Sequence, residues 1–248
     1  MQLNAQKFII LESVDSTNNY AMAMVQKGVA NNGDAVFAME QSLGKGRRGK
    51  TWKSQRGENI LLTILAQMQW LPLQQQFHLS VAVALACHDF FSKYTKENIK
   101  IKWPNDIFIN DRKAGGILIE NSIKGKLWQW AIIGTGLNIN QENFENDKLN
   151  AVSLKHITGR HYNVIHLSHE LHEIVLERLR DLHSGKIVKM LREYNENLFC
   201  RNKTVKLKKG NILFEAEIKR VSASGELIVK DAMERNFGFD EIQWMDLQ

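Results

Sequence analysis

Four short apolar segments packed between residues 100 and 134 constrain the fold more than any other feature of this chain. Residues 100–103, 107–109, 116–120 and 128–134 read as strands, separated by turn chemistry at Pro104-Asn105, Asn110-Asp111 and Lys124-Gly125. Links this short reverse the chain and leave no room for a crossover helix, so a mainly antiparallel sheet is expected.

Around these strands the sequence supplies helices, giving an α+β class. Residues 8–11, 35–39 and 59–66 are further strand candidates. Asp15, Ser16, Thr17 and Asn18 offer capping side chains to a helical pattern at 20–26. Residues 77–91 place apolar side chains at helical spacing with no Gly or Pro inside, and 164–182 and 187–198 read as amphipathic helices about Gly185. Residues 138–150 form an Asn-rich connection. From Thr204 the pattern changes to short alternating strands at 205–207, 213–218 and 227–229, with turns at Lys209-Gly210 and Ser224-Gly225, suggesting a small barrel. The expected division is 1–200 and 201–248.

Composition narrows the function only coarsely. The 248 residues are 44% hydrophobic and 24% charged, with a net charge of +6 that suits anionic ligands. The longest apolar stretch, residues 60–66, is too short to cross a bilayer, so a cytoplasmic protein is expected. Cys87 and Cys200 lie far apart without metal or redox spacing.

Two motifs mislead. Residues 44–51, Gly-Lys-Gly-Arg-Arg-Gly-Lys-Thr, satisfy both the phosphate-loop pattern and G-x-G-x-x-G. Both patterns need a helix to follow, and residues 52–58 lack an apolar stripe and lead into a strand. What survives is a basic glycine loop suited to an anion, expected to be poorly ordered until a ligand closes it. His169-Glu170-Leu171-His172-Glu173 has its histidines three apart where a zinc protease helix needs four, so a solvated helix face is expected.

The basic loop does not stand alone. Lys102-Trp103-Pro104-Asn105-Asp106-Ile107, Lys113 to Glu120 (Lys-Ala-Gly-Gly-Ile-Leu-Ile-Glu), Gly134-Thr135-Gly136-Leu137-Asn138 and Ser16-Thr17-Asn18 occur with it in an order that resembles the biotin protein ligase family. The resemblance covers roughly residues 8–248. It implies an α+β catalytic domain followed by a small SH3-like barrel. It also implies a two-step reaction, in which biotin and ATP give biotinyl-AMP and pyrophosphate, and a lysine of a biotin carboxyl carrier protein or domain then takes the biotinyl group.

Carried over residue by residue, the resemblance makes Arg47 and Lys113 the catalytic cations, set where two anions meet. Ser16, Thr17 and Gln41 face biotin's ureido group. Asn18, Gly44, Lys45, Gly46, Gly115, Gly116, Gly134 and Gly136 complete the biotin set, with Gly115 and Gly116 admitting the backbone to the ligand. Trp52 covers the adenylate, Asn59 and Asn138 read adenine, and Arg48, Lys50, Lys102 and Asn105 contact the nucleotide. Asp106 is the residue associated with Mg2+.

Two departures from the family pattern are Lys45, where Arg is common, and Ala114 in Ala-Gly-Gly. They bear on affinity more than on reaction type, because Lys lacks the planar fork of Arg. A DNA-binding regulator is the rival reading from another class. The stretch ahead of Ser16 is too short for a helix-turn-helix unit, so no sequence-specific DNA binding is expected. A lipoate or octanoate ligase is the closer rival, and competition between the acids in an adenylation assay separates the two. A monomer or homodimer is expected.

Overall fold

The computed structural model describes residues 6–144 and 150–245. Seven strands, Phe8–Leu11 (β1), Ala35–Ala38 (β2), Asn59–Gln67 (β3), Ile99–Lys102 (β4), Asp106–Ile109 (β5), Arg112–Lys124 (β6) and Leu127–Asn138 (β7), form one sheet. Their order is β1-β2-β3-β7-β6-β5-β4. Every neighbouring pair is antiparallel except β1 with β2, whose parallel register accommodates the helix Thr17–Gln26 (α1) between them. The α+β class read from the short connections therefore holds.

The hairpin of β6 and β7 is longer than its apolar segments suggest. Its outer end is polar, from Asn121 to Lys124, and the main-chain ladder continues through Lys124 and Leu127 regardless of side-chain hydropathy. Gly125, at φ +62°, turns the chain there.

Side chains of paired strands alternate between the two faces of the sheet. One face carries Ile60, Leu62, Ile64, Ile133 and Leu137 into the main core. Against it lie the helices Gln76–Ser92 (α2), Val164–His183 (α4) and Ile187–Glu196 (α5). Helix α2 is buried nearly all round, from Phe77 to Phe91, because it is sandwiched between the sheet and the other two helices. The opposite face is covered by α1 only in part. Ala21 and Met24 pack there on Val36, Leu65 and Ile132.

A short helix, Leu154–Thr158 (α3), went unread in the sequence although Ser153 and His156 form a reciprocal capping box at its start. The 138–150 connection is described except for residues 145–149, which lie outside the described residues. The expectation of a solvated face at residues 169–173 holds for the exposed His169 and Glu173 and fails at His172. His172 is buried with its Nε2 2.8 Å from Gly33 O, and the ring of His169 stacks on Phe8 at 3.7 Å.

A second sheet of five antiparallel strands follows: Thr204–Lys209 (β8), Ile212–Val221 (β9), Leu227–Lys230 (β10), Glu234–Phe237 (β11) and Gln243–Met245 (β12), in the order β11-β10-β9-β8-β12. It fits an SH3-like barrel. The sequence named three of these strands. Strand β11 is polar enough to pass for a turn, and β12 is three residues long. The chain turns into this sheet through left-handed residues Cys200 and Asn202.

The two sheets share one core. Leu207, Ile218, Val221 and Leu227 join the main cluster, Trp103 Nε1 donates to Gly225 O at 3.0 Å, and Asn195 pairs with both backbone groups of Val221. We propose the division at residue 200 as one of chain organisation, across which packing is continuous. Among the described residues no helix is long and apolar enough to cross a membrane.

Candidate ligand-binding site

Beyond the end of α1 the second face of the large sheet is open. Leu61 and Thr63 on β3 pair with Gly136 and Gly134 on β7, which pair in turn with Gly116 and Leu118 on β6, so all six share that face. Three of them are glycines, which leaves a trough. Together with the basic loop and the second sheet it bounds a cavity of about 1000 Å³.

Strand β7 sets the spacing within the trough, since residues 134 and 136 on one face stand about 7 Å apart. At Gly134 the amide of Asn18 comes so close that any Cβ would overlap its Oδ1. At Gly136 a Cβ would stand 2.6 Å from Trp52 Cε2, so the indole lies directly on the strand. One position is thus built around hydrogen-bonding groups and the next around an aromatic plane.

The polar end is a linked network. Ser16 occupies the N-cap position of α1 but its side chain makes no cap bond; the first-turn amide of Thr17 instead donates to Gln41 Oε1 at 2.7 Å. Thr17 Oγ1 lies 3.0 Å from the same oxygen and 2.8 Å from Thr63 Oγ1. Thr63 Oγ1 lies 2.6 Å from Asn18 Oδ1, and Asn18 Nδ2 donates to Glu120 Oε2 at 2.7 Å. Ser16 and Thr17, expected partly as caps, are released from that task by Gln41.

The other end is cationic. Lys113 Nζ lies 2.8 Å from Asp106 Oδ1 and 5.8 Å from the Trp52 ring centroid. The backbone of Lys113 is gripped on both sides, its N–H donating to Asn150 O and its carbonyl accepting from Val152 N, both at 2.9 Å. Lys102 Nζ lies 4.9 Å from the Phe108 ring and 5.4 Å from that of Trp244. Burial pushes its ammonium down from 10.5 to about 8, against the pull of Asp106.

The basic loop is a tight hairpin. Lys45 and Thr51 bridge, and Trp52 N donates to Gly44 O at 2.8 Å. Residues Arg47–Gly49 make a single 3-10 turn, after which Lys50 is extended, so the helix a phosphate loop requires is not there. The second sheet holds the loop from above. Asp240 Oδ1 accepts from Arg47 Nη2 at 2.9 Å and Arg48 Nε at 2.7 Å, Arg48 Nη2 donates to Phe239 O, and the Arg47 guanidinium lies 5.2 Å from the Phe239 ring centroid. The sequence suggested a loop with few anchors; the anchors come from a segment almost two hundred residues away. Burial lowers the pKa of Arg47, and the bond from Arg48 lowers that of Asp240.

The fold brings Ser16, Thr17, Asn18, Gln41, Lys45, Gly46, Arg47, Arg48, Lys50, Trp52, Lys102, Asn105, Asp106, Lys113, Gly116, Gly134, Gly136 and Asn138 to the cavity wall. It does not bring Gly44, Asn59 or Gly115 there. A Cβ on Gly44 would overlap Trp52 O, so this glycine closes the hairpin. Gly115 faces the core, where a Cβ would overlap the Leu137 side chain. The steric need that the sequence assigned to ligand approach is there internal packing. Asn59 is buried, donating to Ser54 Oγ and Gln141 Oε1 and accepting from Ile139 N. Asn138 reaches the wall, yet its Nδ2 donates to the carbonyls of Lys113 and Val152. Asn105 likewise ties its turn to Ile117.

Sequence reading missed Thr63, Glu120, Phe239, Asp240 and Trp244. Thr63 left a signal, a hydroxyl inside an otherwise apolar strand, and such a group needs a buried partner. The residues of the second sheet left none, because nothing local says that this segment folds over the loop.

Fold and site together define an α+β protein whose open sheet face joins a neutral hydrogen-bonding end to a cationic end. Residues 10–138 match the model of the Biotin/lipoate A/B protein ligase family, which is more than half of the chain, and the chain belongs to that family. The Bifunctional ligase/repressor BirA of Salmonella typhimurium is 33% identical over 151 residues, covering 60% of this chain and 46% of that protein. A biotin–acetyl-CoA-carboxylase ligase of Paracoccus denitrificans is 36% identical over 133 residues, covering 52% and 53%. The chain thus spans about half the length of the curated relatives it matches. The biotin protein ligase from Aquifex aeolicus in complex with biotin and ATP superposes with a TM-score of 0.81 at 22% identity, over 96% of this chain and 99% of that one, which shows a common fold.

Proposed function

We propose that this protein is a biotin protein ligase, working in the cytoplasm, which activates biotin with Mg-ATP and transfers it to a lysine of a biotin carboxyl carrier protein or domain. The observation that carries the reading is the two-ended cavity. Acceptors and donors on Ser16, Thr17 and Gln41 suit a neutral cyclic urea, and the cations Arg47, Lys102 and Lys113 suit a carboxylate meeting a triphosphate, with the Trp52 indole between. The buried Trp52 Nε1 lacks a hydrogen-bond partner in the protein, so a ligand acceptor lying along the strand would satisfy it.

In the first step a biotin carboxylate oxygen attacks the α-phosphorus, an O–P bond forms, and the bond to the β-phosphate oxygen breaks to release pyrophosphate. Negative charge accumulates at the phosphorus. Lys113, with its backbone clamped and its ammonium held by Asp106, is preorganised to stabilise it, and Arg47 faces the same space from the loop. In the second step the acceptor amine attacks the acyl carbon and the acyl C–O bond breaks. AMP leaves with the bonding pair and the amine gives up a proton. Lys113 then offsets charge on the departing phosphate.

Among the described residues no group of three or more His, Cys, Asp or Glu could hold a metal ion, so an ion at Asp106 would have few protein ligands. That fits Mg2+, which keeps waters and is carried mainly by the phosphates of its nucleotide. Asp106 is the residue that would hold it, and the ion would neutralise phosphate charge.

The test is pyrophosphate release by the purified protein with Mg-ATP, with and without biotin and without acceptor. Biotin-dependent release and isolable biotinyl-AMP are expected. Release that follows lipoate or octanoate and ignores biotin overturns the reading in favour of the rival ligase.

A further inference from the structure

Glu120 lies outside the reacting end of the cavity, yet it touches both the floor and the rim of the polar end. Its Oε2 accepts from Asn18 Nδ2 at 2.7 Å, and its Oε1 lies 3.4 Å from Lys45 Nζ. Both partners of the ion pair are partly exposed, so the pair itself adds little to stability. Its consequence is directional. An ionised carboxylate only accepts hydrogen bonds, so Asn18 must turn its NH2 toward Glu120, where Leu118 O also receives it at 3.4 Å.

That choice propagates. With Nδ2 committed, Asn18 presents Oδ1 to Thr63, and an amide oxygen cannot donate. The single Thr63 proton therefore goes to Asn18 across 2.6 Å. Thr63 Oγ1, at 2.8 Å from Thr17 Oγ1, is left to accept, and Gln41 Oε1 at 3.0 Å also accepts. Every acceptor within reach of the Thr17 proton thus lies within the protein, which leaves the Thr17 oxygen lone pairs as its offering to the cavity.

We infer that Glu120 is a positioning residue that sets the hydrogen-bond polarity of the chain Thr17–Thr63–Asn18, so that this end of the cavity presents an acceptor and selects a ligand carrying an N–H donor. The inference rests on the biotin reading above, in which the ureido group supplies that donor. Gly134 makes the arrangement rigid, since the Asn18 amide lies against its Cα with no space for a side chain. Without the carboxylate only the 3.4 Å contact with Leu118 O favours this orientation, and the Asn18 amide can rotate by half a turn. The Thr63 proton is then free to turn to Thr17 Oγ1 at 2.8 Å, where it takes up a lone pair that would otherwise face the cavity, and this end discriminates less for a donor.

The experiment measures adenylation kinetics for the parent, Glu120→Ala and Glu120→Gln with biotin and with biotin methylated on a ureido nitrogen, which lacks one donor. For the parent, discrimination of about tenfold to a hundredfold is expected, the ratio that corresponds to one unpaired buried group. Glu120→Ala is expected to raise KM for biotin, change kcat much less, and lose most of that discrimination. Glu120→Gln still offers Asn18 an oxygen while removing the charge on Lys45, so it should recover most of the discrimination. Unchanged discrimination in Glu120→Ala overturns the inference while leaving the ligase reading intact. So does a parallel fall of kcat and kcat/KM in both variants with discrimination retained. A parent that does not adenylate biotin overturns the ligase reading and this inference with it. Should Glu120→Ala not fold, the proposal stands or falls on Asn18→Ala, which removes the acceptor that fixes the Thr63 proton and should lose the same discrimination.

Discussion

Asp240 Oδ1 accepts a 2.7 Å hydrogen bond from Arg48 Nε, joining the second sheet to the basic loop of the first. The same oxygen also accepts from Arg47, so one carboxylate holds two cations that face the cavity. An anion entering the cavity competes with Asp240 for both guanidinium groups.

Asp240→Ala should therefore strengthen binding of pyrophosphate or ATP to the unliganded protein by several-fold, the change expected when exposed ion pairs of roughly 0–1 kcal/mol no longer compete. Faster amide exchange through residues 45–53 should accompany it. Titration calorimetry checks the first expectation, and weakened anion binding would show that Asp240 organises the loop for its ligand.

Lys113→Ala should slow biotinyl-AMP formation by about 10²–10³-fold, the usual loss when one preorganised charge is removed from a transition state. Its melting temperature should stay near that of the parent, because the ammonium faces the cavity and, among the described residues, forms its ion pair with Asp106. Single-turnover kinetics with circular dichroism separate the two effects. A parental rate would place the chemistry elsewhere.

Two neighbouring glycines should separate folding from binding. Gly115→Ala meets Leu137 and the carbonyl of Gly136 in the core, so it should lower the melting temperature. Gly136→Ala meets the Trp52 indole, which projects from the loop, so it should speed dissociation of biotinyl-AMP at little cost in stability. Thermal melts and adenylate off-rates on both variants check this, and a reversed pattern would mean that the two faces of the sheet are misassigned.

How much of this was legible beforehand depended on whether the information was local. The residue types of the Lys102–Asp106 and Gly134–Gly136 segments, and the short turns between their strands, fixed sheet class and placed most cavity residues. Locality also hid a steric cause, since Gly44 and Gly115 were read as ligand contacts while each glycine is required by a protein neighbour, Trp52 O for the first and the Leu137 side chain for the second. His172 was taken as solvated because only its own helix was in view, whereas Gly33 and Phe8 cover it from another element. No local pattern announces that residues 239–244 close over residues 47–48 and 102, which is a property of how the second sheet docks.

Burial of His172 carries a pH consequence. Burial lowers its pKa below 6.5, and His78 is lowered in the same way. The unfolded chain therefore binds more protons than the folded one just below pH 6.5. Stability from these groups is complete above that value and declines as pH falls through the folded pKa values. Urea midpoints across this range should fall toward acid, and less steeply in His172→Gln. An identical slope in the variant would assign the acid sensitivity to other groups.

Lys102 predicts opposite trends for stability and for nucleotide binding at alkaline pH. Its ammonium, pushed down to about 8 by burial, loses a proton in the folded protein well before it does so in the unfolded chain, where the value is 10.5. Between those two values the unfolded chain binds the extra proton, so stability contributed by this group rises with pH. The cavity meanwhile loses a cation. Affinity for ATP should fall as pH rises through about 8, and binding there should take up a proton, because a polyanion beside Lys102 restores the charged form. Lys102→Arg keeps its charge across the range and should flatten the affinity profile, although the longer guanidinium must fit between Phe108 and Trp244. Calorimetric titration of ATP in two buffers of different ionisation enthalpy, at about one pH unit below and above 8, measures affinity and proton uptake together. Equal affinity at both pH values, with no proton uptake at the higher one, would place Lys102 out of reach of the nucleotide and leave it a buried support for the aromatic rings around it.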